Sequence, residues 1–505
     1  MDSPEHQRRK RKRFSKPSNH FPQCIYKTNV SDPGHDSDPN RVQNPGVVEG
    51  MDVLSVEEYG ENRLLVRCPL PRVNVSSLIG LSRPGLGPGL MSVEGKLMNT
   101  WDNLAYEAVL DRETNTVLVF VKGISHRQDK ESDPNQFTCL FGPGDWEGGN
   151  RKYVLSSRAV TAAQEVVRCV LPRSMVMNPG LARGVRAGVS FRMPRYRGRV
   201  NRVVVPSVAK ISSLGLSGDG EKHELCVCTM LWNQAHSIRE WITYHSWLGV
   251  EKWFIYDNNS DDEIQDVIKD LDFEGYNVSR HVWPWIKTQE AGFSHCAMRA
   301  RSECNWVSFM DVDEFYYFPY NAVSGFSGQG SLRTLVSNFT SSSSIGEIRT
   351  SCHSFGPSGL TSPPIRGVTV GYTCRLQSPE RHKSIIRPDA LDTTLMNVVH
   401  HFHLQKGFTY TDLPQSTAVI NHYKYQVWEV FRAKFYRRVA TYVADWTDSQ
   451  NEGSRDRAPG LGTEPIEPPD WRLQFCEVWD TGLRDFILTN LADVSTGILP
   501  WDRSM

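Results

Sequence analysis

Hydrophobic and polar positions alternate along this chain in two different ways. Between residues 51 and 220 the apolar runs are short. Arg63–Cys68, Tyr106–Leu110, Thr116–Val121, Gln136–Phe141 and Val166–Leu171 are separated by Gly, Pro, Asn and Asp, as in strands joined by turns. This predicts a β-rich, sandwich-like module. From His223 the period changes. Glu224–Trp232 reads as a buried strand, and Ala235–Leu248 places Ile238, Trp241, Ile242, His245 and Leu248 on one helical face, ended by Gly249. Lys252–Tyr256, Tyr276–Trp285 and Trp306–Met310 predict further strands. Asp261–Leu271 and Thr288–Arg301 predict the helices between them. Such alternation predicts βαβ units and an α/β fold, a mostly parallel sheet flanked by helices. Ligands of such sheets bind beyond the carboxyl ends of the strands, which points to Asn233, Asp257 and the acids after Met310.

Beyond this block, residues 320–345 read as a Ser/Gly-rich loop with one short helix. Strands return from Ile348, followed by an amphipathic helix near Val427–Val443. Residues 447–470 are polar and proline-rich. Trp471, Phe475, Trp479 and Trp501 mark a C-terminal segment expected to pack back as helix. Four regions are therefore expected. Residues 1–50 form a disordered, basic and polar tail or stem containing Arg8–Arg13, residues 51–220 the β-rich module and residues 221–445 the α/β domain. Residues 446–505 make a linker and C-terminal helical segment.

Composition narrows the function classes. The chain carries 57 Lys+Arg against 57 Asp+Glu, which argues against a nucleic-acid partner through bulk charge. Its 39% hydrophobic content excludes wholesale disorder. No apolar stretch approaches the ~20 residues that a membrane-spanning helix needs. None of the 11 cysteines lies in a paired CxxC pattern, and Cys226-x-Cys228 reads as strand core. Cys68, Cys139 and Cys169 lie in strand runs and suit either one disulfide or buried thiols. Sequons at Asn29, Asn74, Asn258, Asn277 and Asn338 weigh mildly for the secretory pathway.

The chemistry concentrates in Phe309-Met310-Asp311-Val312-Asp313-Glu314-Phe315. On an extended chain Asp311 and Asp313 point the same way. Two such carboxylates repel unless a cation joins them. Hard oxygen ligands suit Mg²⁺ or Mn²⁺, which leave positions open for phosphate oxygens. An acidic turn is the bland alternative, but a place at the end of the fourth strand favours the metal. Glu240, on the first helix, reads as a partner in a helix salt bridge.

Four blocks, Leu231–His245, Phe254–Ser260, Gln289–Cys296 and Trp306–Phe315, occur in order and are followed by Lys383–Pro388, Val398–His403 and Asn421–Tyr423. Together they resemble glycosyltransferase family 92, and most of all its plant branch with an N-terminal β module. The resemblance implies a GT-A fold, a UDP-sugar donor (galactose in characterised members), Mn²⁺ or Mg²⁺, and inversion at the anomeric carbon. The acceptor would be a glycan or cell-wall polysaccharide. In these terms Asp311 and Asp313 hold the metal, and His403 and His422 complete its site, chosen from His400, His401, His403 and His422. Asn233, Asp257 and Gln289 bind the nucleotide side of the donor, and Lys383 and Arg387 its diphosphate. The base that takes the acceptor proton is sought among Glu290, Glu314, Glu380 and Asp392. With Asp311 and Asp313, Glu314 and Asp392 complete the catalytic set. A Golgi membrane location with a lumenal catalytic domain, and a homodimer, are expected on the same ground. Read literally, the basic tail lacks an apolar anchor behind it, which would leave the chain in the cytosol. Two further functions fit the same residues, a carbohydrate-binding protein that kept the fold without turnover and a nucleotide-sugar hydrolase.

Overall fold

The computed structural model describes residues 23–28, 48–59, 64–69, 75–82, 90–92, 102–124, 130–143, 146, 153–194, 200–213, 221–319, 328–342, 344–398, 401–435 and 466–502. The chain divides into two compact units, residues 1–100 and 101–505.

The first unit holds a four-stranded antiparallel sheet in the order Val48–Asp52, Gln23–Thr28, Val75–Ser82, Leu90–Ser92. The expected tail thus contributes an inner strand. Cys24-Ile25-Tyr26 is buried, and Cys24 is disulfide-bonded to Cys68, so this short apolar run has a core to join. Arg8–Arg13 lies outside the described residues.

In the second unit, residues 102–213 form an eight-stranded sheet. Its long strand Leu155–Ala163 pairs with Phe137–Phe141 through its first half and with Val166–Val170 through its second. The sheet turns there and closes over a core that includes Val117, Val119, Cys139, Val167 and Val189, with Cys139 bridged to Cys169. The β-rich stretch expected over 51–220 is thus divided, its strands before residue 100 belonging to the first unit and those of 102–213 to the second. Ala105–Asp111 and Thr116–Val121 are buried at every position, because their outer face is covered too. Tyr106, Leu118 and Phe120 share one hydrophobic cluster with Phe254, Trp283 and Phe309 of the α/β region. The change of pattern near residue 220 therefore does not coincide with a break between compact units.

The α/β region is built on nine strands. They are β1 His223–Leu231, β2 Lys252–Asp257, β3 Val278–Val282, β4 Cys304–Phe309, β5 Glu314–Tyr317, β6 Ile345–Ser354, β7 Arg381–Ile386, β8 Thr409–Asp412 and β9 Val419–His422. Helices α1 Ala235–Trp247, α2 Ile264–Phe273, α3 Gln289–Ala300, α4 Ser331–Thr340 and α5 Gly482–Asn490 flank them. The sheet runs β3-β2-β1-β4-β7-β6-β9-β5, with β8 beside β6. The first four strands are parallel, as the βαβ pattern requires. β7 runs antiparallel to both β4 and β6. This is an α/β fold, with a parallel half and a mixed half. Leu231 pairs with Asp257, Asp257 with Val282, and Cys228 with Phe309. The loops after β1, β2, β3 and β4 therefore leave one edge.

Cys226 and Cys228 are strand core, fully buried on β1, and both are also crosslinked, to Cys304 at the start of β4 and to Cys296 on α3. Cys374–Cys476 ties in the C-terminal segment, where α5 packs Phe486 against Trp247. Trp471 and Trp501 are buried there, whereas Trp479 lies 61% exposed on a short edge strand. The helix expected at Val427–Val443 is present over 428–435, and its remainder lies outside the described residues. Asn258 turns inward and donates to the carbonyls of Trp283 and Trp285, while Asn277 and Asn338 are exposed. Asn29 and Asn74 fall outside the described residues.

The predicted face of α1 is buried, and Ser237, Glu240 and His245 are its buried polar residues. His245 donates from Nδ1 to the Trp241 carbonyl (2.8 Å), and its Nε2 accepts from the Tyr316 amide (3.4 Å). Burial pushes its pKa down to about 3, so it is a neutral core residue. Glu240 forms no helix salt bridge. It turns into the core, where its carboxylate accepts from the amides of Val368 (2.9 Å) and Thr369 (3.0 Å) and from the Thr369 hydroxyl. Gly367 has φ +102°, and a Cβ there would sit 2.5 Å from that carboxylate, so only glycine lets the two elements meet.

Burial pushes the Glu240 carboxyl up to about 7, against the opposing bonds from Thr369 and Val368. Its folded pKa exceeds the unfolded value, so its contribution is fully present below about pH 4.5 and is lost as pH rises through about 7. The shift corresponds to roughly 3 kcal/mol. In urea titrations Glu240→Gln should gain stability relative to wild type by up to that amount between pH 4.5 and 8. Parallel pH profiles for the two proteins would overturn the assignment.

Candidate active site

The acidic block is a turn, which corrects the expectation of an extended i, i+2 pair. β4 ends at Phe309, and the Met310 amide makes a last sheet bond to Cys228 (3.3 Å). The chain then reverses through Asp311-Val312-Asp313. The Glu314 amide donates to the Asp311 carbonyl (3.1 Å), and Glu314 Oε2 accepts from the Asp311 amide (2.9 Å). Val312 is buried and anchors the turn between its two aspartates. The chain re-enters the sheet as β5, antiparallel to β9, where Glu314 faces His422.

Three carboxylates so placed need cations, and the fold supplies them from separate elements. Lys383, on β7, lies 3.1 Å from Asp311 Oδ2 and 2.8 Å from Glu314 Oε1. Lys434, on the helical stretch 428–435, is ion-paired with Asp313 Oδ2. His422 Nε2 is 3.6 Å from Asp313 Oδ1, and its Nδ1 is 3.6 Å from Glu314 Oε1. Burial raises the Asp313 carboxyl, but Lys434 and His422 outweigh it and hold the group far below the carboxylate range. Burial raises Glu314, and Lys383 offsets this only in part. Burial depresses Lys383, yet Asp311 and Glu314 prevail and raise it.

Ligand atoms of Glu314, His422 and the buried thiol Cys352 lie within 4.8 Å of one another. Asp311 and Asp313 remain 34% and 12% exposed beside them. Carboxylate oxygens and an imidazole, already neutralised by two ammonium groups, form a donor set that suits a divalent Mn²⁺ or Mg²⁺.

The nucleotide side is built differently from the expectation. Asn233 lies beyond β1 at φ 50°. Its amide donates to Ser260 Oγ (2.9 Å), its Oδ1 accepts from the Asp261 amide (2.9 Å), and its Nδ2 bonds the Asp261 carboxylate. It joins the loops after β1 and β2. Asp257 lies on the same edge as Asp311 but points inward. It is fully buried, paired with Arg280 (2.5 Å to Nη2, 2.8 Å to Nε), and accepts from the Ser260 amide (2.9 Å). Both of its oxygens are engaged in holding the loop. Gln289 is half-buried in the first turn of α3, on this edge. Burial pushes His236, in the first turn of α1, down. Asp262 opposes that shift and Lys434, which pairs with Asp313, adds to it.

Three expected site residues lie elsewhere. β7 runs antiparallel to β4, so Lys383 reaches the acids while Arg387, four residues further, is carried about 13 Å toward the opposite edge. There Arg387 pairs with Asp389 (2.9 Å). Asp392 accepts from the amide (2.8 Å) and hydroxyl of Thr394, beside Arg168, which donates to the Thr393 carbonyl. It caps a turn against the β-rich module. His403 is exposed, and its backbone bonds Asp392 and Met396. His400 lies outside the described residues, and His401 bonds Ser384 and Glu347. Of the base candidates, Glu290 lies in the first turn of α3 and is pushed up by burial. Glu380 bonds Ser354 and Lys424.

A profile of glycosyltransferase family 92 matches residues 221–457. A family 92 protein of Ricinus communis is 58% identical over 455 residues, 89% of this chain and 78% of its own length. The chain belongs to glycosyltransferase family 92. An Arabidopsis thaliana member is 57% identical over 456 residues, 89% of this chain and 77% of its own. Among solved structures, a Pyrobaculum calidifontis mannosyltransferase in complex with GDP-Man and Mn²⁺ aligns at 12% identity and TM-score 0.28, over 47% of this chain and 66% of that one. The family 92 profile spans the acidic turn, Lys383, His422 and Lys434 together, so the whole cluster lies inside the family domain.

Asp257→Ala would remove the buried carboxylate that pairs with the Arg280 guanidinium, itself only 15% exposed. Breaking a buried pair costs about 3–5 kcal/mol. Denaturant titration should therefore show Asp257→Ala losing stability on that scale. Wild-type stability combined with weakened UDP binding would restore Asp257 as a nucleotide contact.

Proposed function

We propose that this glycosyltransferase is a metal-dependent, inverting hexosyltransferase that moves a hexose from a UDP-sugar to a glycan or cell-wall polysaccharide. Galactose is the hexose that the resemblance favours. The observation that carries the reading is the Asp311–Asp313–Glu314 turn, gathered with His422, Lys383 and Lys434 at the carboxyl edge beside the loops of β1 and β2.

Asp311, Asp313 and His422 would hold the metal, which when bound supplies Lewis-acid charge at the leaving diphosphate. Lys383 keeps Asp311 and Glu314 together despite their repulsion, so the turn stays in one shape through a cycle. Lys434 sits at the open side of Asp313 as a point charge that can pass to a phosphate oxygen. Asn233 and Asp257 act on the donor indirectly, by fixing the loops over which the nucleotide lies.

Five disulfides among the described residues, on β1, β4, α3 and elsewhere, support an oxidising compartment, in keeping with a Golgi lumen. No helix among the described residues is long and apolar enough to cross a membrane.

The test is UDP release from a panel of UDP-sugars with Mn²⁺, with and without oligosaccharides. Activity should require acceptor and metal, and Asp313→Asn should lower kcat about 100-fold or more, the scale of losing a main electrostatic stabiliser. Full activity in EDTA or in that variant would overturn metal dependence. UDP release that yields no glycoside would identify a hydrolase.

A further inference from the structure

Of the 11 cysteines, ten are paired in disulfides, and Cys352 is free and buried. Its place follows from the register. Strands β6, β9 and β5 are consecutive neighbours in the sheet. Ser354 pairs with His422, and His422 with Glu314. Cys352, two residues before Ser354, points to the same face. A thiol, an imidazole and a carboxylate thus converge from three strands, with ligand atoms within 4.8 Å of one another. Glu314 and Cys352 are both buried, whereas Asp311 and Asp313 form the more exposed side of the same cluster.

His422 divides the cluster in two. Its Nε2 lies 3.6 Å from Asp313 Oδ1, and its Nδ1 lies 3.6 Å from Glu314 Oε1. A neutral imidazole has one ring nitrogen free to bind an ion and carries a proton on the other. Nε2 with Asp311 and Asp313 is an oxygen-rich set that suits a hard ion. Nδ1 with Glu314 and Cys352 offers nitrogen, oxygen and sulfur, the ligand types of Zn²⁺. A tetrahedral ion with bonds of about 2.0–2.3 Å separates its ligands by about 3.3–3.8 Å. Nδ1 and Oε1 already stand at that spacing, and the thiol has about 1 Å at most to close. Lys383, 2.8 Å from Glu314 Oε1, is also 3.1 Å from Asp311 Oδ2, so it keeps a carboxylate partner when Glu314 turns to an ion.

We propose that Glu314, Cys352 and Nδ1 of His422 form a second, inner metal site for a thiophilic divalent ion of the Zn²⁺ class, and that its occupation shuts off the Mn²⁺ or Mg²⁺ site. The antagonism rests on the metal-dependent transferase reading above. The inner ion takes the place of the thiol proton, which leaves to solvent. Two effects then oppose the hard ion. With Nδ1 engaged, Nε2 carries the ring proton and becomes a donor toward Asp313 instead of a ligand. The charge changes as well. Asp311, Asp313 and Glu314 against Lys383 and Lys434 leave one negative charge. A divalent ion held by oxygen and imidazole turns that balance positive, which draws in a diphosphate, whereas the same ion bound with a thiolate leaves it neutral. For a given ligand set Zn²⁺ binds more tightly than Mn²⁺, so the inner ion prevails.

The experiment uses the full chain, stripped of metal, with Co²⁺ as the coloured stand-in for Zn²⁺. Because the other cysteines are in disulfides, a thiolate-to-cobalt charge-transfer band reports Cys352 alone. Wild type saturated with Co²⁺ should show that band, and Zn²⁺ should abolish it by displacement. Cys352→Ser and Cys352→Ala should lack it. In both, calorimetric Zn²⁺ affinity should fall about 100-fold or more, beyond the cost of losing an outer-shell partner, while Mn²⁺ affinity is kept. Wild type loaded with Zn²⁺ should lose Mn²⁺ binding, and Cys352→Ala at the same Zn²⁺ concentration should retain it. Absence of the band in saturated wild type, or unchanged Zn²⁺ affinity in both variants, would overturn the inner site and leave the transferase reading intact. Undiminished Mn²⁺ binding to the Zn²⁺-loaded protein would overturn the antagonism. A thiolate band in a protein that releases no UDP from any UDP-sugar would keep the inner site and refute the transferase.

Discussion

Like charges packed into one reverse turn govern the rest of the active edge. Asp311, Asp313 and Glu314 cannot share so small a volume unless positive charge reaches them from several directions. The fold meets this with side chains from distant parts of the chain. β7 delivers Lys383, β9 delivers His422, and the stretch 428–435 delivers Lys434. Each comes from an element whose position is fixed by the sheet or packed against it. The mixed half of the sheet therefore serves the acids of the parallel half. Val312, buried between the two aspartates, is the apolar counterpart that prevents the turn from simply opening into solvent.

The same logic explains why the β-rich strands of residues 102–213 read so apolar. A strand that faces solvent on one side alternates, as Phe137–Phe141 does. Ala105–Asp111 and Thr116–Val121 do not, because they lie between their own core and the aromatic cluster of Phe254, Trp283 and Phe309. Sheet and transferase core are there one hydrophobic body. The parallel half is held from within as well. β1 is crosslinked to both β4 and α3, so the strand that carries the Asn233 loop and the strand that carries the acids cannot shift against each other.

Much of the parallel half was legible from periodicity, because three successive βαβ units carry their own helix stops and strand runs. The acids at the end of β4 were legible for the same reason. What could not be read were relations that depend on strand direction. Lys383 and Arg387 look equivalent in Lys383-Ser-Ile-Ile-Arg387, and only the antiparallel course of β7 sends them to opposite edges. His403 and His422 look equivalent in the sequence, and only the pairing of β5 with β9 brings His422 to the acids. Asp257 and Glu240 are polar letters in apolar contexts, and nothing local says that each is turned inward onto a partner far along the chain, Arg280 and Val368–Thr369. Lys434 carried no local signal at all. It stands in an ordinary amphipathic helix, and its meaning comes from what that helix is laid across.

The direction of β7 also limits how this region can change length over evolutionary time. Along β7, Lys383 faces the acids, while its neighbours His382 and Ser384 face Glu347 and His401 on the other side. A single-residue insertion or deletion upstream within the strand would exchange those faces. It would put an imidazole or a hydroxyl among three carboxylates and an ammonium group beside His401. Substitutions elsewhere in β7 can be absorbed, but its spacing cannot drift, so indels in this part of the chain belong in the loops on either side of Arg381–Ile386.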